Sequence, residues 1–320
     1  MPFTDMTRSE LVEYAPELPW PRDLEEFWST TLAESRALAQ PAILEKVDTG
    51  LTLVDCFDVT FSGFGGHPIR AWLHVPAKVD GRLPAVVLYS GYGGGRGLAL
   101  DVSFYVLAGY ACLKMDTRGQ GSAWTPGDTP DPVGAGPTHP GFMTKGILDR
   151  HDYYYRRVYT DAVLAVEALR LRPEVRPDKV AVAGGSQGGG IALAVASLVP
   201  DLWAALIDLP FLCDFPRATE IADSDPYTEI VRYLSIHRDD VERAFSTLAY
   251  FDAAGLARLA KAPAMFSCGL MDRITPPSTV YAAFNLYGGP KEMVEYPFND
   301  HEGGSGFQHS RQLRWLAALA

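Results

Sequence analysis

KVAVAGGSQGGGIALAVASL, residues 179–198, decides the fold. Its first half is a short apolar run with β-branched residues and its last half is Ala-rich with helical character, so the stretch reads as a strand, a Gly184-x-Ser186-x-Gly188 turn and a helix. Glycines at those positions allow a turn so sharp that Ser186 is left exposed above the end of a sheet, which is how a serine nucleophile is presented. A phosphate-binding loop would need GxxxxGK[ST] or GxGxxG, and neither stands here.

Outward from this stretch, AVVLYS, YACLKMD, ALIDLP, AMFSCGLMD and MVEYP are further strand candidates, continuous apolar runs of the kind buried on both faces of a parallel sheet. TDAVLAVEALRLR, GIALAVASL and PSTVYAAFNLY supply helical crossovers between them, so the chain reads as a doubly wound α/β protein with a mostly parallel sheet. Residues 51 to 75 alternate and turn at Gly63 to Gly66, which predicts an antiparallel hairpin at the start of that sheet. Residues 22–39, with Leu24, Phe27, Trp28 and Leu32 at helical spacing, predict an N-terminal amphipathic helix. Residues 213–258 contain no convincing strand and several helical segments, a helical insertion over the carboxyl edge of the sheet, where α/β enzymes place ligands. Residues 122–157, rich in Pro, Gly, Asp and Tyr, read as a long ordered loop. The whole, 1–320, reads as one domain.

Acidic residues number 39 against 28 Lys and Arg, a formal net charge of −11, and no basic patch interrupts it; a nucleic-acid partner is excluded on that balance. Cys56, Cys112, Cys213 and Cys268 form no CxxC pair and read as reduced, buried thiols rather than a disulfide framework or a metal site. The N-terminus lacks a basic segment followed by an apolar run, and no apolar stretch approaches the roughly 20 residues that span a bilayer, so a cytoplasmic protein without membrane contact is expected.

A serine hydroxyl needs a base within hydrogen-bond reach and an acid to orient that base, in the chain order Ser, Asp or Glu, His. His301, in the FNDHEGG loop after MVEYP, is the expected base; His309 lies in the helical FQHSRQLRWLAAL and reads as a surface histidine. Asp272, at the end of AMFSCGLMD, is the expected acid, and Asp300 beside His301 is its rival. An oxyanion needs backbone N–H donors, expected on Gln187, next to the nucleophile, and on Tyr92 in the SGYGGGRG loop after AVVLYS.

Together SGYGGGRG, DTRGQG at 116–121, GGSQGGG at 184–190, DLPFLCDF at 208–215, GLMDRITPPST at 269–279 and the pair His301–Glu302 resemble the acetyl xylan esterase and cephalosporin C deacetylase family, carbohydrate esterase family 7, on the α/β-hydrolase fold. The likeness runs from about Phe27 to Trp315, and RGQG, GxSQGG and HE are that family's signature motifs in order. The resemblance implies Ser186, Asp272 and His301 as a triad, the N–H groups of Tyr92 and Gln187 as oxyanion hole, and Tyr92 at the substrate. It implies a structural role for Arg118, Gly119, Gln120 and Gly121, with Arg118 anchoring loops near the site. It also implies deacetylation of short acetylated xylo-oligosaccharides and of the 3′-acetoxy position of cephalosporins, without metal or cofactor, by a homohexamer. Gly93 stands where family members often carry Asn, a departure that bears on specificity.

Two other readings share parts of this pattern. A prolyl-oligopeptidase-like peptidase would have the same core and triad order, but the chain lacks the residues for a propeller domain. A non-catalytic binding protein on the same scaffold would be expected to have lost a triad residue, and all three are present.

Overall fold

The computed structural model describes residues 5–79, 81–133 and 140–319. Its centre is one sheet of nine strands: β1 (Ile43–Val47), β2 (Val54–Ser62), β3 (Pro68–Pro76), β4 (Leu83–Tyr89), β5 (Ala111–Met115), β6 (Val175–Gly185), β7 (Ala204–Asp208), β8 (Ala264–Gly269) and β9 (Lys291–Tyr296), in the order β1-β2-β3-β5-β4-β6-β7-β8-β9. From β5 to β9 all neighbours are parallel, and β1, β2 and β3 extend the sheet antiparallel. The predicted hairpin is β2–β3, but it is not the edge: β1, with only part of one face covered, lies outside it, and β3 pairs on its other side with β5. The central strands are covered on both faces, as their unbroken apolar runs predict; Val180–Val182, Ala204–Ile207 and Ala264–Phe266 are all buried.

The helices are α1 (Arg8–Glu13), α2 (Leu24–Ala37), α3 (Phe104–Leu107), α4 (Tyr154–Arg170), α5 (Gln187–Leu198), α6 (Phe215–Ile221), α7 (Tyr227–Ile236), α8 (Val241–Leu248), α9 (Ala253–Leu256), α10 (Pro277–Leu286) and α11 (Ser305–Ala318). The amphipathic face expected over 22–39 is on α2: Phe27 and Trp28 pack edge-on against Phe251, 5.9 and 5.6 Å between centroids, and Trp28 Nε1 donates to the Tyr250 carbonyl. Short α1 lies outside the predicted elements although it carries its own start signal, a capping box between Thr7 and Glu10.

Within 122–157 the loop expectation holds for the described part, and residues 134–139 lie outside the described residues. It fails at the far end, because α4 starts at Tyr154, six residues before TDAVLAVEALRLR. Tyr154 and Tyr155, which by composition belong to the expected loop, form its first turn and are fully buried. The stretch 213–258 is helical as expected, α6 to α9 with no strand among the described residues. All four cysteines are free and buried. No helix among the described residues is long and apolar enough to cross a membrane, and no group of His, Cys, Asp and Glu there could hold a metal ion.

Candidate active site

Parallel register brings the carboxyl ends of the strands level. Tyr89 of β4 lies beside Gly184 of β6, Gly185 beside Asp208 of β7, and Asp208 beside Ser267 of β8. Ser186 sits in the sharp turn between β6 and α5 with φ +56° and ψ −123°, a conformation that side chains rarely adopt. Main-chain hydrogen bonds hold it there. Ser186 N–H donates to the Asp208 carbonyl at 3.0 Å, and the Ser186 carbonyl accepts from Gly190 and Phe211 at 3.0 and 2.9 Å. Gly188 and Gly190 are required because a Cβ at either would collide with the carbonyl of Tyr89 or of Phe211.

His301 arrives on the loop after β9. Its Nε2 is 3.0 Å from Ser186 Oγ and its Nδ1 is 2.8 Å from Asp272 Oδ2. With Nδ1–H donated to the carboxylate, Nε2 is left to accept from the serine hydroxyl. Asp272 does not terminate β8, as expected, but lies three residues past it, because the chain leaves the sheet at Gly269 and turns back under the histidine. The turn fixes the carboxylate: Oδ1 accepts from the N–H groups of Ile274 and Thr275 at 2.8 and 2.9 Å, Oδ2 accepts from Thr275 Oγ1 at 2.7 Å, and the side chain is fully buried. Thr275 was not anticipated, though Asp-x-x-Thr is an Asx-turn pattern readable in the sequence. Asp300, the rival acid, is exposed, and its N–H donates to Glu302.

Gly91 and Tyr92 follow β4 and line the same cavity as Ser186. Gln187 is the first residue of α5, so its N–H has no helical acceptor behind it and faces the turn. The two segments are tied together by Gln120 of RGQG, a buried amide paired reciprocally with the Gln187 amide: Gln120 Nε2 donates to Gln187 Oε1 at 2.8 Å, and Gln187 Nε2 to Gln120 Oε1 at 3.1 Å. The same Gln120 oxygen accepts the Gly93 N–H at 2.7 Å. Gly93 has φ +76°, and the space a Cβ would need is filled by the Ala123 methyl, so glycine suits both backbone and neighbour.

The Tyr92 phenol is not free for a ligand. It donates to Glu229 of α7 at 2.8 Å and accepts from Phe142 N–H at 2.8 Å, and burial with the adjacent carboxylate raises its pKa far above that of an ordinary tyrosine. Trp124 Nε1 holds the Tyr92 carbonyl at 2.8 Å. The sequence carried no signal for Glu229, an insertion residue 137 positions away from Tyr92.

Arg118 is fully buried and forks onto Asp161, Nε to Oδ2 at 2.6 Å and Nη2 to Oδ1 at 2.7 Å; its Nη1 reaches Asp131 at 3.4 Å and His67 at 3.2 Å. Asp161 also accepts the Phe64 N–H at 2.8 Å, so one guanidinium joins the β2–β3 turn, α4 and the loop after β5. Burial works against ionisation of Asp131, but Arg157 and Arg118 outweigh it and hold its pKa below the usual carboxylate value. Gly119 (φ +70°) and Gly121 (φ +111°) supply the positive φ angles on either side of Gln120.

One more buried carboxylate borders the site. Asp208 accepts from Ser267 Oγ at 2.8 Å, Gln308 Nε2 at 2.9 Å and Gln312 Nε2 at 2.8 Å, and burial pushes its pKa up to about 6. The cavity over Ser186, about 600 Å³, takes its walls from Tyr92, Trp124 and His301 and from Asp225 and Pro226 of the insertion.

The acetyl xylan esterase (AXE1) family profile matches residues 1–319. The chain belongs to that family. It is a serine esterase on the α/β-hydrolase fold. Among solved structures of the family, it resembles the acetyl xylan esterase from Paenibacillus sp. R4 with 37% identity and TM-score 0.89, over 98% of this chain and 99% of that one. Acetyl xylan esterase 1 from Thermoanaerobacterium sp. JW/SL YS485 matches with 32% identity and TM-score 0.89 over the same shares. Acetyl esterase Axe7A of Xylanibacter ruminicola is 30% identical over 312 residues, 95% of this chain and 70% of that protein. An acylaminoacyl peptidase from Pyrococcus horikoshii shares the fold at 13% identity and TM-score 0.58, over 84% of this chain and 41% of the peptidase.

Proposed function

We propose that the protein removes acetyl groups from small acetylated sugars, xylo-oligosaccharides among them, through an acetyl-enzyme intermediate. The observation that carries this reading is the hydrogen-bonded line Ser186–His301–Asp272 opening into a cavity of about 600 Å³ in a chain of the acetyl xylan esterase family. In this mechanism Ser186 Oγ attacks the acetyl carbonyl carbon while His301 Nε2 takes the hydroxyl proton, and Asp272 stabilises the imidazolium that results. The oxyanion is received by the N–H groups of Tyr92 and Gln187, which Gln120 positions. His301 returns its proton to the departing sugar oxygen as the ester bond breaks. Water, deprotonated by the same nitrogen, then attacks the acetyl-serine; acetate leaves and the Ser186 hydroxyl is restored. No cofactor enters any step.

The 3′-acetoxy group of cephalosporins offers the same ester to the same atoms and is proposed as a second substrate. We propose further that the chain is a single domain carrying the insertion over its site, works in the cytoplasm, in keeping with four free thiols, and assembles as a homohexamer. Light scattering at six times the 34.9 kDa chain mass supports the hexamer, and a monomer mass rejects it. The catalytic reading is tested by acetate release from acetylated xylo-oligosaccharides alongside labelling with a fluorophosphonate. Ser186→Ala is expected to lose both; a variant that still releases acetate at the wild-type rate rejects Ser186 as nucleophile.

A further inference from the structure

The cavity over Ser186 has a charge bias that ester hydrolysis does not require. Its lining carries three carboxylates, Asp208, Asp225 and Glu302, and among the described residues no lysine or arginine. Its second histidine, His309, has its pKa lowered by burial and so is uncharged near neutrality. Two cations on flanking segments are engaged outside the lining. Arg232 pairs with Asp225 at 2.7 Å with both side chains more than half exposed, so solvent weakens that compensation, and Arg273 pairs with Asp223 at 2.9 Å. Glu302 is held by neutral donors alone, Asn299 Nδ2 and, at 3.1 Å, the Asp300 N–H. The partners of Asp208, Ser267, Gln308 and Gln312, are likewise uncharged. The chain's net charge of −11 adds a field of the same sign. Trp124 also lines the cavity, 59% exposed with its indole N–H turned to the Tyr92 carbonyl; its ring face suits the C–H face of a sugar or a cation, and not a carboxylate.

We infer that the site ranks acetyl esters by the charge of their alcohol half, favouring neutral and cationic alcohols over anionic ones, with Glu302 and Asp225 as specificity-determining residues; this rests on the esterase reading above. Neutral acetylated sugars then rank above acetoxy-cephalosporins, whose ring system carries a carboxylate. Glu302 lines the same cavity as His301, the residue proposed to protonate the leaving alcohol. Three esters of one skeleton separate charge from shape and leaving-group basicity: 3-(acetoxymethyl)benzamide, 3-(acetoxymethyl)benzoate, and the corresponding benzyltrimethylammonium compound. Glu302 and Asp225, each a few ångströms away through partly wet surroundings, are worth about threefold apiece, so kcat/KM for the neutral ester is expected to exceed that for the anion by about tenfold at low salt. Raising ionic strength from about 0.01 M to about 1 M cuts the screening length from about 30 Å to about 3 Å and should bring that ratio down to about two. Glu302→Gln and Asp225→Asn should each narrow the low-salt ratio by about threefold, a within-variant ratio that cancels any general loss of activity. Hydrolysis of all three esters with equal kcat/KM at low salt, or a preference that ignores both salt and the two substitutions, overturns the inference alone. Failure to hydrolyse any of the three overturns the esterase reading and this inference with it.

Discussion

Replacing Gln120 by leucine separates what the RGQG motif does for the fold from what it does for turnover. The amide is fully buried and serves four bonds: it accepts from Gly93 N–H and Gln187 Nε2, and donates to Gln187 Oε1 and the Tyr154 hydroxyl. Leucine fills the space but leaves the Gly93 N–H with no acceptor, at a cost of about 1–3 kcal/mol for one buried orphan donor. The Gln187 amide fares better, because it keeps the Ser90 carbonyl and the Tyr155 hydroxyl. A total near 3 kcal/mol is expected; at about 2 °C per kcal/mol for a chain this long, the melting temperature should fall by about 6 °C. The larger effect should be kinetic. Gly93 adjoins Tyr92 and Gln187 adjoins Ser186, so the bonds lost are those that would set the spacing of the two proposed oxyanion donors. Outright loss of one donor costs about 10²–10³ in kcat, and a displaced donor should cost about 10- to 100-fold, with KM little changed because the interaction matures only in the transition state. Gln120→Glu keeps an acceptor for Gly93 N–H and should fall between. The assay is acetate release below the melting transition of each variant. A leucine variant that melts lower yet keeps wild-type kcat would refute the claim that Gln120 positions the oxyanion donors.

Three further outcomes follow from the geometry. Asp272→Asn should lower kcat by about 10⁴-fold, because an amide at Nδ1 favours the tautomer that cannot accept the serine proton; loss of less than about tenfold in steady-state turnover would remove Asp272 from the mechanism. Asp208, pushed up to about 6 from an ordinary 3.8, binds its proton more tightly in the folded than in the unfolded chain. Its contribution is therefore fully present below pH 3.8 and lost as pH rises through about 6. Asp208→Asn should shrink the difference in unfolding free energy between pH 4 and pH 7 by about 2 kcal/mol, and urea titrations giving identical differences in both proteins would count against it. Arg118→Met strands the buried carboxylate of Asp161, while Asp131 keeps Arg157 at 2.7 Å, and should destabilise by about 3–5 kcal/mol; calorimetry showing an unchanged melting temperature would contradict the arrangement.

Local chemistry was legible in the sequence, and long-range chemistry was not. Ser186 could be found because the glycines around it are steric requirements of one turn, and His301 and Asp272 because chain order limits the choice. The continuous runs of β6 to β8 disclosed burial on both faces. β1 escaped because ILEKV, half covered at an edge, carries too little apolar pattern to stand out. The start of α4 was hidden because tyrosines in a Gly- and Pro-rich context resemble a loop until their burial is known. Thr275 lay within reach of a turn rule. Glu229 on Tyr92, and Gln308 with Gln312 on Asp208, join segments about 100 or more residues apart, and no periodicity or spacing relates such partners before the chain has folded.

The backbone of Ser186 has a consequence for how such a protein evolves. At φ +56° a residue with a Cβ is held about 1–2 kcal/mol above where glycine would rest, so Ser186→Gly would ease the turn while removing the proposed nucleophile. Stability alone therefore pulls position 186 toward an inert protein. Only continued demand for turnover keeps the serine in place, and a lineage released from that demand has a short, downhill path to a silent copy of the same fold.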